Sequence, residues 1–213
     1  WPPDRLVFAM AGGLGALVQS AEQAEDDEGA GAHAMADAKI TADDVVIGVA
    51  ASGTTPFTIG ALRAAKAAGA VTIAVANNPD APLFQVARHR ILADTGSEVI
   101  AGSTRMNAGT AQKIVLNLLS TAVMVKLGRV YRGLMVDMRA RNAKLRHRAA
   151  AMVSEIVRCP GSDAARFVEQ ADGDVKTAVM LGFGLGRSEA EKLLQRHGGN
   201  LRAAIKECRG GDG

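Results

Sequence analysis

The stretch that constrains this chain most runs from Asp44 to Pro56, DVVIGVAASGTTP. Val45 to Ala50 is an apolar run of strand length with β-branched residues in front, the pattern of a strand buried on both faces. Ser52-Gly53-Thr54-Thr55 is compact and rich in hydroxyls. Pro56 suits the first turn of a following helix, because its missing N–H would have no partner there. The unit therefore reads strand, loop, helix start. A helix N-terminus offers free N–H donors and the positive end of a dipole. Hydroxyls beside it complete an anion cradle. Two readings fit this pattern, a phosphate seat and an ordinary turn with hydroxyl caps.

The same alternation continues along the chain. Residues 71–76 (VTIAVA) and 89–93 (HRILA) read as further short strands, and 55–69 as a helix closed by Gly69. Residues 83–87 read as a short helix, and 29–40 as a helix leading into the opening strand. Residues 5–11 (RLVFAMA) are expected to be a strand, with Gly12-Gly13 as its turn and a helix over 16–24. Strands alternating with helices of this length imply an α/β fold with a parallel, doubly wound sheet. Ligands of such sheets sit beyond the carboxyl ends of the strands. Gly12-Gly13, Ser52 to Thr55, Asn77-Asn78 and Asp94 to Glu98 all fall there.

A long helix follows residue 107, with Ile114, Leu118, Ala122 and Val125 at helical spacing. Residues 139–148 (RARNAKLRHR) form a basic run on an expected helix, read as a solvated or subunit-facing surface. Nucleic-acid binding would want interleaved aromatics, and the run has none. A net charge of +3 is too small to argue for nucleic acid. Cys159-Pro160-Gly161 marks an expected domain boundary. It separates residues 1–158 from a small helical domain, 159–213, with short helices near 163–171, 175–181, 188–197 and 200–207. That segment resembles the three-helix ubiquitin-associated fold in its Gly-Phe turn and its late Gly-Asn-Leu.

Four histidines, His33, His89, His147 and His197, show no ligand spacing, and two cysteines make no metal or redox motif. So few cysteines suit a reducing cytoplasm. No apolar run is expected to reach the roughly 18 residues of a membrane span, so neither membrane nor nucleic acid is an expected partner. Trp1-Pro2-Pro3-Asp4 is not a basic leader and holds no initiator Met, so the chain is expected to begin inside a longer protein. Glu25-Asp26-Asp27-Glu28 is a dense acidic knot, which by itself reads as the solvated first turn of a helix.

Several of these stretches occur together in a fixed order. They are AEDDEG at 24–29, DDVVIGVAASGTTPF at 43–57, GSEVIAGSTRMNAGTAQKIVLNLLSTAVMVKLGRV at 96–130, LMVDMRARNAKL at 134–145 and HGGNLRAAI at 197–205. In this the chain resembles the sugar-isomerase (SIS) fold, a flavodoxin-like three-layer α/β/α sheet that binds phosphosugars. More closely it is similar to the N-acetylmuramic acid 6-phosphate etherases. The resemblance implies cleavage of a lactyl ether by elimination and hydration, without metal or cofactor, in cell-wall sugar recycling. It assigns Glu25 as a catalytic carboxylate. Ser52 and Thr55 would hold the 6-phosphate, with Gly53 and Thr54 lending backbone N–H groups. Ser103 and Thr104 would cap the long helix and line the sugar pocket, and Glu98 would take an auxiliary sugar contact. It further implies a homodimer. The family's second carboxylate, first strand and first phosphate loop match positions upstream of residue 1, so the chain is expected to be N-terminally truncated and the sheet to lack a strand. A non-catalytic phosphosugar-binding module of the same fold is the alternative.

Overall fold

The apolar run after Asp44 forms the strand its pattern implies. In the computed structural model, which describes residues 3–18 and 22–210, β1 is Val45–Val49, β2 Val71–Ala76 and β3 His89–Leu92. They make a parallel sheet in the order β1-β2-β3, with Val45 opposite Val71 and Ile73 opposite His89. Parallel neighbours need a crossover. Pro56–Ala67 (α2) supplies it between β1 and β2, and Leu83–Val86 (α3) between β2 and β3. The chain divides into two compact units between Asn117 and Leu118.

In the first unit Leu62 of α2 is fully buried among Ala74, Ala76, Leu83 and Phe84. A second small cluster, Met35, Ala61, Ala65 and Ala70, joins α2 to Glu28–Asp37 (α1). These two helices meet through glycine. A Cβ on Gly31 would lie 1.9 Å from the Phe57 carbonyl oxygen, and one on Gly60 2.1 Å from that of Glu28. Backbone therefore packs on backbone, and a side chain at either position would push the two helices apart.

Two expectations at the N-terminus are corrected. Residues 6–10 do not form a strand: they join no sheet, and Leu6, Val7, Phe8 and Met10 are exposed. A strand is defined by its ladder partner rather than its composition. The helix expected over 16–24 is instead two short 3-10 turns, Leu14–Leu17 and Glu22–Asp26, with residues 19–21 outside the described ones. Gly12 and Gly13, both at positive φ, do make the expected turn.

The long helix, Asn107–Lys126 (α4), crosses the division between the units. Its apolar stripe is at helical spacing, yet Ile114, Leu118 and Val125 are all more than half exposed. By length and composition α4 can also cross a membrane, which corrects the expectation that no such run exists. Polar residues such as Thr110, Gln112, Asn117 and Ser120 had hidden it.

The second unit carries a hairpin, β4 Val130–Tyr131 and β5 Leu134–Met135, then α5 Ala143–Val157, α6 Gly161–Gln170, α7 Val175–Gly182, α8 Arg187–Arg196 and α9 Leu201–Cys208. Val153, Val175, Val179, Met180 and Leu201 are buried in one core that also includes Tyr131 and Val136. Lys176, nearly buried, ends 2.6 Å from Asp137. The expected helix over the basic run starts only at Ala143, because Asn142 caps it through the Leu145 N–H. Arg139 instead bridges to Asp174. Cys159-Pro160 is the tight turn between α5 and α6, entered through Arg158 at φ 63°.

Candidate functional site

The loop after β1 is held from three sides. Within it, the Ser52 hydroxyl accepts from the Thr54 N–H (3.2 Å) and from the Thr54 hydroxyl (2.9 Å). A serine oxygen that accepts twice keeps its own O–H to donate, so Ser52 is poised to donate outward. Gly53 turns the chain at φ 70°, and a Cβ there would meet that of Ala81 at 2.3 Å. From the β2 side, the Asn77 N–H donates to the Ala51 carbonyl (3.0 Å) and the Asn78 amide to the Ser52 carbonyl (3.2 Å). From α3, the Leu83 N–H donates to the Gly53 carbonyl (2.9 Å).

The backbone donors differ in availability. The Gly53 N–H is used within the turn, on the Ala50 carbonyl (3.1 Å), and that of Thr54 on Ser52. Thr55, the N-cap of α2, makes no side-chain capping bond. Among the described residues nothing accepts from the N–H groups of Phe57 and Thr58. These first-turn donors, with the hydroxyls of Ser52 and Thr55, are the groups an anion would meet.

The acidic knot separates into distinct roles. Asp27 caps α1 through the Ala30 N–H (2.8 Å), and Glu28 pairs with Arg63 of α2. The side chains of Glu25 and Asp26 are exposed and, among the described residues, take part in no hydrogen bond or ion pair. The turn that carries Glu25 packs against α2, the helix that the Ser52 loop opens.

Glu98, the residue expected to contact the sugar, is held by its own chain. Its carboxylate takes the N–H groups of Asn107 (3.1 Å) and Ala108 (3.0 Å), so it caps α4 from nine residues upstream. Asn107 returns its side-chain amide to the Ser97 carbonyl (3.1 Å). The capping expected of Ser103 and Thr104 is thereby corrected. The helix begins at Asn107, too far along for either hydroxyl, and Thr104 contributes only its carbonyl, to the Gly109 N–H (2.9 Å).

Sequence reasoning missed two residues. Asn77, 8% exposed at the end of β2, donates to the Ala93 carbonyl (2.7 Å) and accepts from Gln112 of α4 (2.8 Å). Asn77 stood in a recognised turn and Gln112 in a recognised motif, but nothing in the sequence linked them. A shallow, open surface pocket of about 340 Å³ is lined by Arg63, Lys66, Ala67, Gln85 and Val86. Arg63 lies seven residues past Pro56, about 10 Å along the helix axis, so this cavity is not at the loop. Among the described residues no three His, Cys, Asp or Glu side chains gather as metal ligands.

Residues 22–122 match the SIS domain model. The chain is 50% identical to an N-acetylmuramic acid 6-phosphate etherase of Deinococcus radiodurans, over 97% of this chain and 68% of that protein. Proteins of the same name from Rhizobium rhizogenes and Yersinia pestis are 45% and 46% identical, each over 96% of this chain, covering 67% and 70% of their own lengths.

Proposed function

The chain belongs to the N-acetylmuramic acid 6-phosphate etherase family, with its SIS domain over residues 22–122, and from that premise we propose that it is a carbon–oxygen lyase acting on N-acetylmuramic acid 6-phosphate. The products are N-acetylglucosamine 6-phosphate and D-lactate. The observation that carries the reading is the Ser52–Thr55 loop: the unspent Ser52 O–H, the Thr55 hydroxyl and first-turn N–H groups at the carboxyl end of a parallel sheet, clamped by Asn77, Asn78 and Leu83.

The phosphate sits on the Ser52 and Thr55 hydroxyls and the start of α2, where the helix dipole favours an anion. Glu25 is the general base. It removes the proton on C2 of the open sugar, which the C1 carbonyl makes acidic. The C–H electrons form the C2–C3 double bond, the C3–O bond breaks, and the lactyl oxygen leaves with a proton from a second acid. Water then adds its oxygen to C3 and a proton to C2. Two carboxyl groups of suited pKa perform such traffic, and Glu25 is one of them in this proposal. Ser103 and Thr104 line the sugar pocket on the segment that Glu98 ties to α4. We further place the enzyme in the cytoplasm as a homodimer, with the exposed stripe of α4 as the face its second subunit covers.

The test is lactate release from N-acetylmuramic acid 6-phosphate by the full-length protein, with and without Glu25→Gln. Lactate formed by the wild type and lost in the variant supports the proposal. Full activity in the variant removes Glu25 from the reaction. A melting shift with N-acetylglucosamine 6-phosphate but no lactate would make the protein a phosphosugar-binding module instead.

A further inference from the structure

The Glu98–Thr104 segment and the Ser52 loop come from different parts of the chain, yet a continuous series of hydrogen bonds fixes their separation. Glu98 holds the N–H groups of Asn107 and Ala108. Gln112 stands one helical turn beyond Ala108 on the same face of α4. Its Nε2 donates to Asn77 Oδ1 at 2.8 Å. The Asn77 backbone N–H donates to Ala51, and Asn78 to Ser52, at the other end of the series.

The amide orientations are forced. The Ala93 carbonyl can only accept, so Asn77 must turn Nδ2 toward it. That leaves Oδ1 as the only group facing Gln112, which must therefore present its own N–H. Asn77 is buried, so neither amide can reverse without setting two oxygens against each other, and a buried polar group left unsatisfied is costly.

We infer that Asn77 and Gln112 are positioning residues, which lock the segment from Glu98 to Thr104 at a fixed distance from the phosphate loop. The inference rests on the phosphosugar reading of that loop. The phosphate loop keeps its own internal bonds when the Gln112 contact is lost, so substrate capture survives. What moves is the sugar-lining segment relative to the held phosphate. Misplacement of about 1 Å at a reacting centre costs on the order of 100-fold in rate.

The test compares Gln112→Glu and Gln112→Lys in the full-length enzyme. Glutamate has the same shape but sets an oxygen against Asn77 Oδ1. Lysine keeps an N–H donor at similar reach. Gln112→Glu should lower kcat by about 10- to 100-fold with KM changed less than about threefold and with the protein still folded by circular dichroism. Gln112→Lys should recover most of the lost kcat. A Gln112→Glu variant with wild-type kcat, or a kcat loss that Gln112→Lys does not recover, overturns the inference while the wild-type activity still stands. If the wild type itself releases no lactate, the functional reading fails, and this inference fails with it.

Discussion

Replacing Gly60 by alanine isolates the contact that sets α1 against α2. The added Cβ would lie 2.1 Å from the Glu28 carbonyl oxygen, 2.7 Å from its Cγ and 2.9 Å from its carbonyl carbon. Ordinary contact begins at 3.4 Å, so α1 must withdraw by about 1.3 Å against backbone that cannot rotate away. Overpacking of this kind costs about 1–3 kcal/mol. Alanine recovers up to about 1 kcal/mol through its better helix propensity. The Arg63–Glu28 pair is about half exposed and adds at most about 1 kcal/mol if strained. The net centres on a loss of about 2 kcal/mol within a span of about 0–4, or roughly 8 °C in melting temperature at the centre for a unit of this size. Gly161→Ala is the control, since nothing lies within 4 Å of its Cβ position; it should leave the melting temperature unchanged or raise it. The turn bearing Glu25 enters α1 through Asp27, so kcat should also fall in Gly60→Ala. A Gly60→Ala protein that melts at or above wild type would refute the backbone-on-backbone packing of these helices.

Glu98→Ala strips two N–H groups of their carboxylate and should destabilise α4 by about 0.5–2 kcal/mol, the range for a lost cap, read as earlier loss of helix signal in thermal melts. Glu207 is held below its ordinary value of 4.5 by hydrogen bonds from Arg196 first and His197 second. A depressed carboxylate contributes stability that is complete above its unfolded pKa and is lost as pH falls through the folded one. Wild type should therefore lose more melting temperature than Glu207→Gln between about pH 5 and pH 3.

What was legible in the sequence was local. Val71–Ala76 was bounded correctly because Gly69 closes the helix before it and Asn77-Asn78-Pro79 turns the chain after it. The Ser52 loop and the start of α2 were read from Pro56 and the hydroxyls beside it, and the capping tendency of the acidic knot proved to belong to Asp27. The errors concern partners distant in sequence. Residues 6–10 have strand composition without a ladder. The cap of α4 was assigned to nearby hydroxyls because capping motifs span about three residues, whereas Glu98 reaches across nine. Asn77 and Gln112 are 35 residues apart, and no periodicity relates them. The apolar stripe of α4 was read correctly as a face, but spacing cannot say whether a face is covered.

The central claim is that the first turn of α2 and the hydroxyls before it hold the sugar's phosphate. A crystal of the protein soaked with N-acetylglucosamine 6-phosphate tests this directly. The account predicts phosphate oxygens about 2.5–3.0 Å from the Ser52 and Thr55 hydroxyls, with C2 of the sugar turned toward Glu25. Phosphate bound instead in the cavity of Arg63 and Lys66, with the Ser52 loop empty, would contradict it.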